Sequence, residues 1–495
     1  MRDLILSIDQ GTTSSRAIVF DLKGGIVKIE QMEFEQFFPQ TGWVEHDPEE
    51  IWATTQEVCK KVLSGIEKVS ALGITNQRET TIVWDRNSGK PIYKAIVWQD
   101  GRTSEYCSRL KQQGLENKVK QKTGLLLDPY FSATKIVWIL ENVKGAKEMA
   151  KAGKLAFGTV DSFLIWRLTN GKVHATDATN ASRTLLFNIH SQQWDEELLE
   201  LFDIPLNMLP EVKDSAADYG VSSQHSIGSE IPICGVAGDQ QAASIGQCCF
   251  EPGSIKSTYG TGGFAMLNTG NQPISSSSGL LSTVAYRING QTTYALEGSI
   301  FIAGAAVQWL RDRLKIIQHA SETEAHASGM ESNGGVYLVP AFVGLAAPHW
   351  NPDAKGAIFG LTRDTGPEHF SRAALESICY QTHDLIQAMT KDTNEQITSL
   401  RIDGGMVNNK WVCQMLADVL GMKIELPEIT ETTALGVAYL AGLQAGLFES
   451  LESLSLMWKQ KSLYHSTMDD DLRHKLLAEW RQAVTCVGHM SETTN

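Results

Sequence analysis

A short glycine turn between two apolar runs occurs twice in this chain. The first, Asp9–Thr13 (DQGTT), separates the apolar run Leu4–Ile8 from a second run, Arg16–Phe20 (RAIVF). The segment Ile255–Phe264 (IKSTYGTGGF) repeats this plan far downstream. Each predicts a β-hairpin whose tip can direct backbone N–H and hydroxyl groups at a phosphate chain. Two copies about one domain apart therefore predict a nucleotide clamped between two related domains.

Length and charge narrow the class of protein. With 495 residues, 42% hydrophobic and 20% charged, the chain can bury the cores of two to four domains. It has 43 Lys and Arg against 57 Asp and Glu, a net charge of −14. This balance argues against nucleic acid or an anionic membrane as the main partner. An anionic substrate such as ATP then needs local positive charge, and bound Mg²⁺ is its simplest source.

The cysteines and the N-terminal segment predict a cellular compartment. The eight cysteines show no CxxC pair and no framework spacing, which predicts reduced thiols in a cytoplasmic chain. Asp9 interrupts the first apolar run, so a signal peptide is not expected. The sequence contains no stretch of about 18 apolar residues, so we expect no membrane-spanning helix.

The order of predicted elements favours an α/β fold. Residues 4–34 read as three strands, Asp47–Glu50 opens a helix with a capping-box glutamate that runs to about Ile66, and Ala71–Thr75 reads as a buried strand. This βββαβ order is that of an RNase H-like core. Pro252-Gly253 precedes the second glycine hairpin. We therefore expect two domains, 1–248 and 249–495.

The second half predicts helices around a third glycine turn. Asp403-Gly404-Gly405 follows an apolar strand and precedes a helix that contains Trp411. A last amphipathic helix is predicted over roughly 469–487. Its apolar stripe comprises Leu472, Leu476, Trp480, Val484 and Val487.

Two polar segments follow predicted strands and are candidate functional sites. Asp239 follows the strand Ile233–Ala237 and can be either a helix N-cap or a general base. Arg78 and Glu79 lie between two apolar runs. They are either solvated charges or a buried donor and acceptor for the hydroxyls of a small polyol.

Several common catalytic motifs are excluded. The stretch from Gly260 to Ala265 fits a loose GxGxxA, but no helix is predicted after it, so we reject a dinucleotide fingerprint. There is no GxxxxGK[ST] phosphate loop and no HExxH, and no two of the 12 histidines are four residues apart.

These features together resemble the FGGY carbohydrate kinases over nearly the whole chain. Tyr130–Trp138 resembles the first family signature. Gly356–Leu361, together with the residues that follow it to Glu376, resembles the second. The resemblance implies two actin-like ATPase domains with the active site in the cleft between them. The segments Asn76–Thr81, Trp98–Arg102 and Gly238–Gln241 resemble those of members that phosphorylate glycerol. The implied activity is therefore transfer of a phosphoryl group from ATP to glycerol, giving sn-glycerol 3-phosphate.

The resemblance also implies roles for individual residues. The N-terminal domain would hold the acceptor, the base and the first phosphate hairpin. The C-terminal domain would hold the adenosine site, the second hairpin and the last helix. Asp239 would be the base and Asp9 would bind Mg²⁺ through water. The glycerol hydroxyls and carbon skeleton would meet Arg78, Glu79, Tyr130, Asp239, Gln240, Trp98 and Phe264. The nucleotide would meet Thr12, Thr13, Ser14, Arg16, Thr261, Gly304, Gln308, Gly405 and Asn409.

The regulatory segment departs from the family pattern. Some bacterial members bind fructose 1,6-bisphosphate through a basic, glycine-rich loop, but Ser222–Glu230 contains no Lys or Arg. His225 resembles in position a histidine that a phosphocarrier protein modifies in other members, although the following residues differ. The resemblance implies a homo-oligomer.

Two alternative functions remain open. One is a sister kinase of the same family that acts on another sugar or polyol. The other is an actin-like, ATP-switched scaffold that has no small-molecule acceptor. The Arg78-Glu79 pair and Asp239 argue for an acceptor pocket, which such a scaffold does not need.

Overall fold

Two mixed β-sheets, one from each half of the chain, organise the fold. The computed structural model describes residues 3–351 and 353–492. The first sheet comprises β1 (Leu4–Gln10), β2 (Ser14–Asp21), β3 (Ile26–Glu33), β4 (Ala71–Asn76) and β5 (Ile233–Gly238). Its order is β5-β4-β1-β2-β3, with β1, β4 and β5 parallel to one another and β2 antiparallel to both of its neighbours. The βββαβ order predicted from the sequence is confirmed.

The second sheet repeats the plan of the first. Its strands are β6 (Ile255–Tyr259), β7 (Gly263–Gly270), β8 (Leu281–Ile288), β9 (Gln291–Ile300), β10 (Ser399–Asp403), β11 (Lys423–Pro427) and β12 (Gln460–Tyr464). The order is β8-β9-β7-β6-β10-β11-β12. The β6–β7 hairpin corresponds to β1–β2, and β6 pairs in parallel with β10 as β1 does with β4.

Helices cover the sheets, and short strands occur in the segments that connect the main elements. In chain order, α1 to α17 are Pro48–Leu63, Ser104–Gln112, Glu116–Thr123, Ser132–Asn142, Ala146–Lys151, Val160–Leu168, Ala178–Ala181, Glu196–Leu201, Gln224–Ile227, Asp239–Gly246, Gly304–Trp309, Glu322–Ser328, Pro367–Thr393, Lys410–Leu420, Thr432–Gln444, Leu451–Ser455 and Asp470–Glu492. The short strands are Gln36–Phe37, Glu45–His46, Ile82–Asp85, Ala95–Ile96, Leu155–Gly158, Ala175–Asp177, Phe187–Asn188, Gln193–Trp194, Glu211–Lys213, Tyr337–Val339 and Ala357–Phe359. Short 3₁₀ helices lie at Leu206–Met208 and Gly405–Asn408, and a single π-helical turn lies at Leu310–Leu314. Within the two described ranges, no helix combines the length and apolar character needed to cross a bilayer.

Helix α15 belongs to the second half of the chain but packs on the first sheet. Its residues Ala434, Val437 and Ala441 share a buried cluster with Ile5 and Ala71 of that sheet. The contact is close because small residues line it. A Cβ atom added to Gly73 in β4 would lie 2.3 Å from the carbonyl oxygen of Val437.

The same helix crosses α10, which begins at the end of β5. A Cβ atom added to Gly436 of α15 would lie 1.8 Å from the carbonyl oxygen of Ala242 in α10. Two helix backbones can approach this closely only where a glycine removes the intervening side chain. The α10–α15 crossing therefore joins the two halves of the chain at a fixed, narrow separation.

Three details of the sequence-based elements differ in the structure. Helix α1 ends at Leu63 instead of near Ile66, and it has no capping box. Asp47 accepts a hydrogen bond from the N–H of Glu49, while the Glu50 carboxylate accepts one from the N–H of Glu35 on a neighbouring segment. In α17, Leu472 of the predicted apolar stripe lies in the first turn and is 43% exposed.

The helix crossing yields the first prediction. Gly436→Ala should lower the free energy of unfolding by about 1–3 kcal/mol, because the new methyl group must push α15 away from the Ala242 carbonyl. Chemical denaturation measures the change.

Gly488→Ala in α17 is the matched control. An added Cβ there has open space, so alanine should leave stability unchanged or raise it slightly through its helix propensity. Equal stability of the two variants would contradict the close packing described here.

Candidate functional site

The first glycine turn lies at the end of β1, beside Trp98. The N–H of Gly11 donates to the Ser14 carbonyl at 2.9 Å, which closes the turn. Thr13 is exposed, whereas Thr12 is half-buried and its hydroxyl accepts a hydrogen bond from the Trp98 indole N–H at 3.0 Å. The predicted hairpin is confirmed.

Asp9 lies at the base of this turn among other acidic groups. Burial, together with Glu431 and Asp239, raises the pKa of Asp9 to about 6, although Arg16 opposes the shift. Arg16 pairs with Glu431 in the structure, so at least one guanidinium nitrogen already has an anionic partner. Among the described residues, no group of three or more His, Cys, Asp or Glu side chains could hold a metal by itself. A cation at Asp9 would need water or substrate oxygens to complete its coordination.

The second glycine turn is hydrogen-bonded to neighbouring segments of the second half of the chain. The Thr261 carbonyl accepts from the N–H groups of Ala303 and Ala305, and the Gly260 carbonyl accepts from that of Gly304, each at 3.0 Å. The third glycine turn lies on the other side: Gly404 has φ +93°, and a Cβ atom there would be 2.4 Å from the carbonyl oxygen of Tyr259.

Most nucleotide candidates of the second half therefore lie around one turn. Thr261 lies in the second glycine turn, Gly304 begins α11, Gly405 begins the helical turn after Gly404, and Gln308 is exposed on α11. Asn409 follows the third turn and caps α14, since its side-chain oxygen accepts from the N–H of Val412 at 3.1 Å.

Arg78 and Glu79 are buried, at 2% and 1% exposure, so the solvated-charge interpretation is wrong. They belong to a cluster with Arg183 and Glu297 that we call the buried charge cluster. Arg78 pairs with Glu297 of β9, and Arg183 donates to Glu79 at 2.6 Å and to Glu297 at 2.8 Å. Each arginine thus contacts both glutamates, because Arg78 also lies 3.9 Å from Glu79.

Opposing effects set the ionisation of the two glutamates. Burial alone would raise the pKa of Glu297, but the guanidinium groups of Arg183 and Arg78 outweigh it and lower that pKa to about 2. For Glu79 burial prevails over the same two arginines and raises the pKa. Glu297 is therefore the anion that holds both arginines, and Glu79 is the less strongly compensated carboxylate of the pair.

Asp239 lies at the edge of the buried charge cluster. It is the first residue of α10, and the N-cap position is Gly238, so the N-cap interpretation of Asp239 is wrong. Arg78 Nε contacts one Asp239 carboxylate oxygen at 3.0 Å, and the side chain remains 35% exposed. Gly238 permits this contact, since a Cβ atom there would lie 2.7 Å from the Arg78 side chain.

An aromatic wall faces these charges. The ring of Trp98 lies 5.7 Å from that of Tyr130 and 6.3 Å from that of Phe264, and all three side chains are half-buried. Phe264 is the second residue of strand β7, so the wall is built from both halves of the chain. Gln240 lies nearby and accepts a hydrogen bond from the buried ammonium of Lys256 at 2.5 Å.

Sequence reasoning missed three residues of this region. Arg183, Glu297 and Lys256 are each buried, and each is the only charged residue in its local run. A single charge within an otherwise apolar or small-residue segment could have identified them, because such a charge is rarely buried without a partner. Their partners could not be found this way, as Arg78 and Glu297 are 219 positions apart.

The segment Ser222–Glu230, which departs from the family's regulatory pattern, contains a short helix. His225 is exposed on the four-residue helix α9, and the Ser223 hydroxyl caps that helix by accepting from the N–H of Ser226.

The fold and this site define a kinase-like protein with two actin-like ATPase domains and a cleft between them. Two family models match the sequence: the N-terminal domain of the FGGY family of carbohydrate kinases at residues 4–246, and its C-terminal domain at residues 255–445. The chain belongs to the FGGY family of carbohydrate kinases. The fold class predicted from the sequence is confirmed.

Relatives and solved structures resemble the chain over nearly its full length. Glycerol kinase of Ectopseudomonas mendocina (strain ymp) is 60% identical over 488 residues, covering 98% of this chain and 99% of the relative. Glycerol kinase 1 of Pseudomonas aeruginosa is 58% identical with the same coverage. The crystal structure of Plasmodium falciparum glycerol kinase with ADP has a TM-score of 0.92 and 40% identity, covering 98% of each chain. A xylulose kinase from Lactobacillus acidophilus has a TM-score of 0.88 at 21% identity and full coverage, and shares the fold.

The buried charge cluster yields the second prediction. Arg183→Met should lower the free energy of unfolding by about 3–5 kcal/mol, because it leaves two buried carboxylates, Glu79 and Glu297, with Arg78 as their one remaining partner in the cluster. Adding Glu297→Gln to that variant should restore part of the loss, since the double variant buries one anion fewer. Denaturant titration of the single and double variants measures both effects.

Lys61→Met serves as the control. Its exposed pair with Glu57 at 3.2 Å should contribute at most about 1 kcal/mol. If Glu297→Gln deepened the loss in Arg183→Met, an excess of buried negative charge would not be the cause of the instability.

Proposed function

We propose that this protein transfers the γ-phosphoryl group of ATP to glycerol, forming sn-glycerol 3-phosphate. One observation carries the proposal: Arg78, inside the buried charge cluster, holds Asp239 at 3.0 Å beside the aromatic wall. Hydrogen-bonding groups, a half-buried carboxylate and an apolar surface lie near one another there, beside both glycine hairpins, which supports the proposal. The glycerol kinases that resemble the chain support the choice of acceptor.

A small polyol fits the chemistry of this point. Arg78 donates hydrogen bonds, Glu79 accepts them, and Tyr130 and Gln240 can do both. Trp98 and Phe264 offer an apolar surface to the carbon chain. Buried groups that must pair with hydroxyls reject acceptors lacking them by about 10⁴–10⁵-fold, because the groups would otherwise stay unpaired.

The nucleotide would lie across the two hairpins. Thr12, Thr13, Ser14 and Arg16 would contact the phosphates from one side and Thr261 from the other, while Gly304, Gln308, Gly405 and Asn409 would line the remainder of the ADP site. The ADP complex of the Plasmodium falciparum enzyme supports a nucleotide in this fold. For Arg16 to bind phosphate, it must share or exchange its contact with Glu431.

Asp9 fits a magnesium ion bound through water. Burial and the nearby Glu431 and Asp239 leave its charge poorly compensated, which a divalent cation would correct. Mg²⁺ commonly takes one or two carboxylates together with water and phosphate oxygens. When bound, the ion would neutralise charge on the transferred phosphoryl group.

Positioning and charge compensation account for most of the chemistry. Phosphoryl transfer needs the acceptor oxygen in line with the leaving group. Asp239, oriented by Arg78 Nε and by the N–H of Gln240 at 2.7 Å, would accept the hydroxyl proton as the new P–O bond forms. Proton transfer of this kind typically contributes about 10²–10⁴-fold. Closure of the two halves would exclude water, the competing acceptor.

Three further features belong to the same proposal. The two domains would be 1–248 and 249–495, which the interval between the family matches at 246 and 255 supports. A cytoplasmic location is supported by the eight free cysteines, seven of them buried. A homo-oligomer rests on resemblance to the family.

The third prediction tests the acceptor. In a coupled ADP assay with Mg-ATP and a panel of polyols, pentuloses and gluconate, glycerol should give the highest kcat/KM, and its product should be glycerol 3-phosphate.

Either alternative function would show itself in the same assay. A higher kcat/KM for a pentulose or gluconate would assign the chain to a sister kinase. ADP release without any acceptor, together with filament formation, would favour the scaffold.

The fourth prediction tests the base. Asp239→Asn should lower kcat by at least about 10²-fold while ADP binding is retained, because the amide cannot accept the proton. Steady-state kinetics and calorimetric ADP titration separate the two effects.

Asp47→Asn is the matched control. Asp47 is an aspartate at a helix start, 39% exposed and paired with Lys94 at 2.9 Å, much as Asp239 pairs with Arg78. Asparagine caps helices as well as aspartate does, so activity should be unchanged. A near-normal kcat for Asp239→Asn would remove Asp239 as the base.

A further inference from the structure

A closed ring of hydrogen bonds joins the first glycine turn to the segment that carries Arg78 and Glu79. The Gln77 side-chain N–H donates to the Gly11 carbonyl at 3.2 Å, and its side-chain oxygen accepts from the Thr80 hydroxyl at 2.9 Å. The Thr80 hydroxyl in turn accepts from the backbone N–H of Trp98 at 3.2 Å. The Trp98 indole N–H donates to Thr12 at 3.0 Å, which returns the ring to the turn.

The ring encloses a strained piece of backbone. The N–H of Thr80 donates to the Arg78 carbonyl at 2.6 Å, so residues 78–80 form a three-residue turn. Glu79, at its centre, has φ +60°, a conformation that a residue with a side chain seldom adopts. Such strain persists only where the surroundings enforce it. Gln77 precedes this turn and Thr80 is its last residue, and their side chains hydrogen-bond to each other across it.

The part of the ring formed by Gln77 and Thr80 is buried and has a second anchor. Gln77 is 2% exposed and Thr80 is fully buried, so solvent cannot readily replace these bonds. The backbone N–H of Gln77 also donates to the Gln10 carbonyl at 2.7 Å, and its side chain contacts the Gln10 side chain at 3.1 Å. The segment 77–80 is therefore tied to the first turn through both main chain and side chains.

We propose that Gln77 and Thr80 are positioning residues that fix the distance between the phosphate turn and the acceptor-binding turn. This inference rests on the proposed function, in which Thr12 contacts the phosphates of ATP and Arg78 and Glu79 contact glycerol. Neither Gln77 nor Thr80 is proposed to contact ATP or glycerol. They act by holding the Arg78–Glu79 turn at one separation from the Gly11–Thr12 turn.

Loss of the ring should affect turnover more than binding. Each half-site would remain intact, so the KM for ATP and for glycerol should change little. A misplacement of about 1 Å between reacting groups can lower the rate about 10²-fold. A loosened acceptor also admits water as a competing nucleophile, so more ATP should be hydrolysed per glycerol 3-phosphate formed.

The fifth prediction removes one hydroxyl from the ring. Thr80→Val is nearly isosteric but can neither donate to Gln77 nor accept from Trp98. We expect kcat to fall about 10- to 100-fold, both KM values to stay within about threefold, and the ratio of ADP to glycerol 3-phosphate to rise above one. Thr80→Ser keeps the hydroxyl and should restore kcat and that ratio. Parallel assays of ADP and glycerol 3-phosphate measure all of these quantities.

Thr169→Val is the matched control. Thr169 is a buried threonine of the same half whose hydroxyl also both donates, to the Ile165 carbonyl at 2.8 Å, and accepts, from the N–H of Val173 at 3.2 Å. It lies outside the ring, so this variant should keep the wild-type kcat and ADP ratio. Should Thr80→Val fail to fold, Gln77→Met breaks the ring at another point and should give the same kinetic pattern.

The outcomes separate this inference from the proposed function. Wild-type kcat and an ADP ratio of one in Thr80→Val would overturn the positioning role alone. So would a loss in Thr80→Ser as large as that in Thr80→Val, or an equal loss in Thr169→Val. If the wild-type enzyme prefers another polyol over glycerol, the proposed acceptor is wrong, and the same variants test the ring with the preferred polyol.

Discussion

The buried pairing of two arginines with two glutamates is the interaction on which the cleft depends. Removing charges from water costs several kcal/mol per ion, which is recovered only where partners and hydrogen bonds are well placed. Here Arg78 and Arg183 each contact Glu79 and Glu297. Glu297 comes from the second sheet and the other three residues from the first half of the chain. The orientation of Arg78, and through it that of Asp239, therefore requires both halves to be folded and in contact.

Much of the fold could be predicted from local sequence because local rules decide it. A glycine turn between two runs of strand-like apolar residues favours a hairpin, and the repeat at Asp9–Thr13 and Ile255–Phe264 indicated two related sheets. The predictions of local structure that were wrong concerned residues whose environment is set by other segments of the chain. The Glu50 carboxylate accepts a hydrogen bond from the Glu35 N–H instead of capping its own helix, and Leu472 of the predicted apolar stripe is 43% exposed. Periodicity along one helix does not contain that information.

The site was predictable in its parts but not in its connections. Strand ends revealed Arg78, Glu79 and Asp239, since polar residues after buried strands gather at one edge of a sheet. Two interpretations of Asp239 remained equal until the structure assigned the cap position to Gly238. Arg183 and Glu297 could have been suspected as single charges in uncharged runs. Their pairing with Arg78 and Glu79 could not, because it spans more than 100 positions of the chain.

The position of helix α15 has a consequence for how the molecule is made. Residues 432–444 cover one face of a sheet whose strands all precede residue 239. While the polypeptide leaves the ribosome, that face stays bare, with Ile5, Ala71 and their neighbours exposed to solvent, until nearly nine-tenths of the chain has been synthesised. The first half cannot finish folding alone, and a nascent chain halted earlier presents an apolar surface to chaperones.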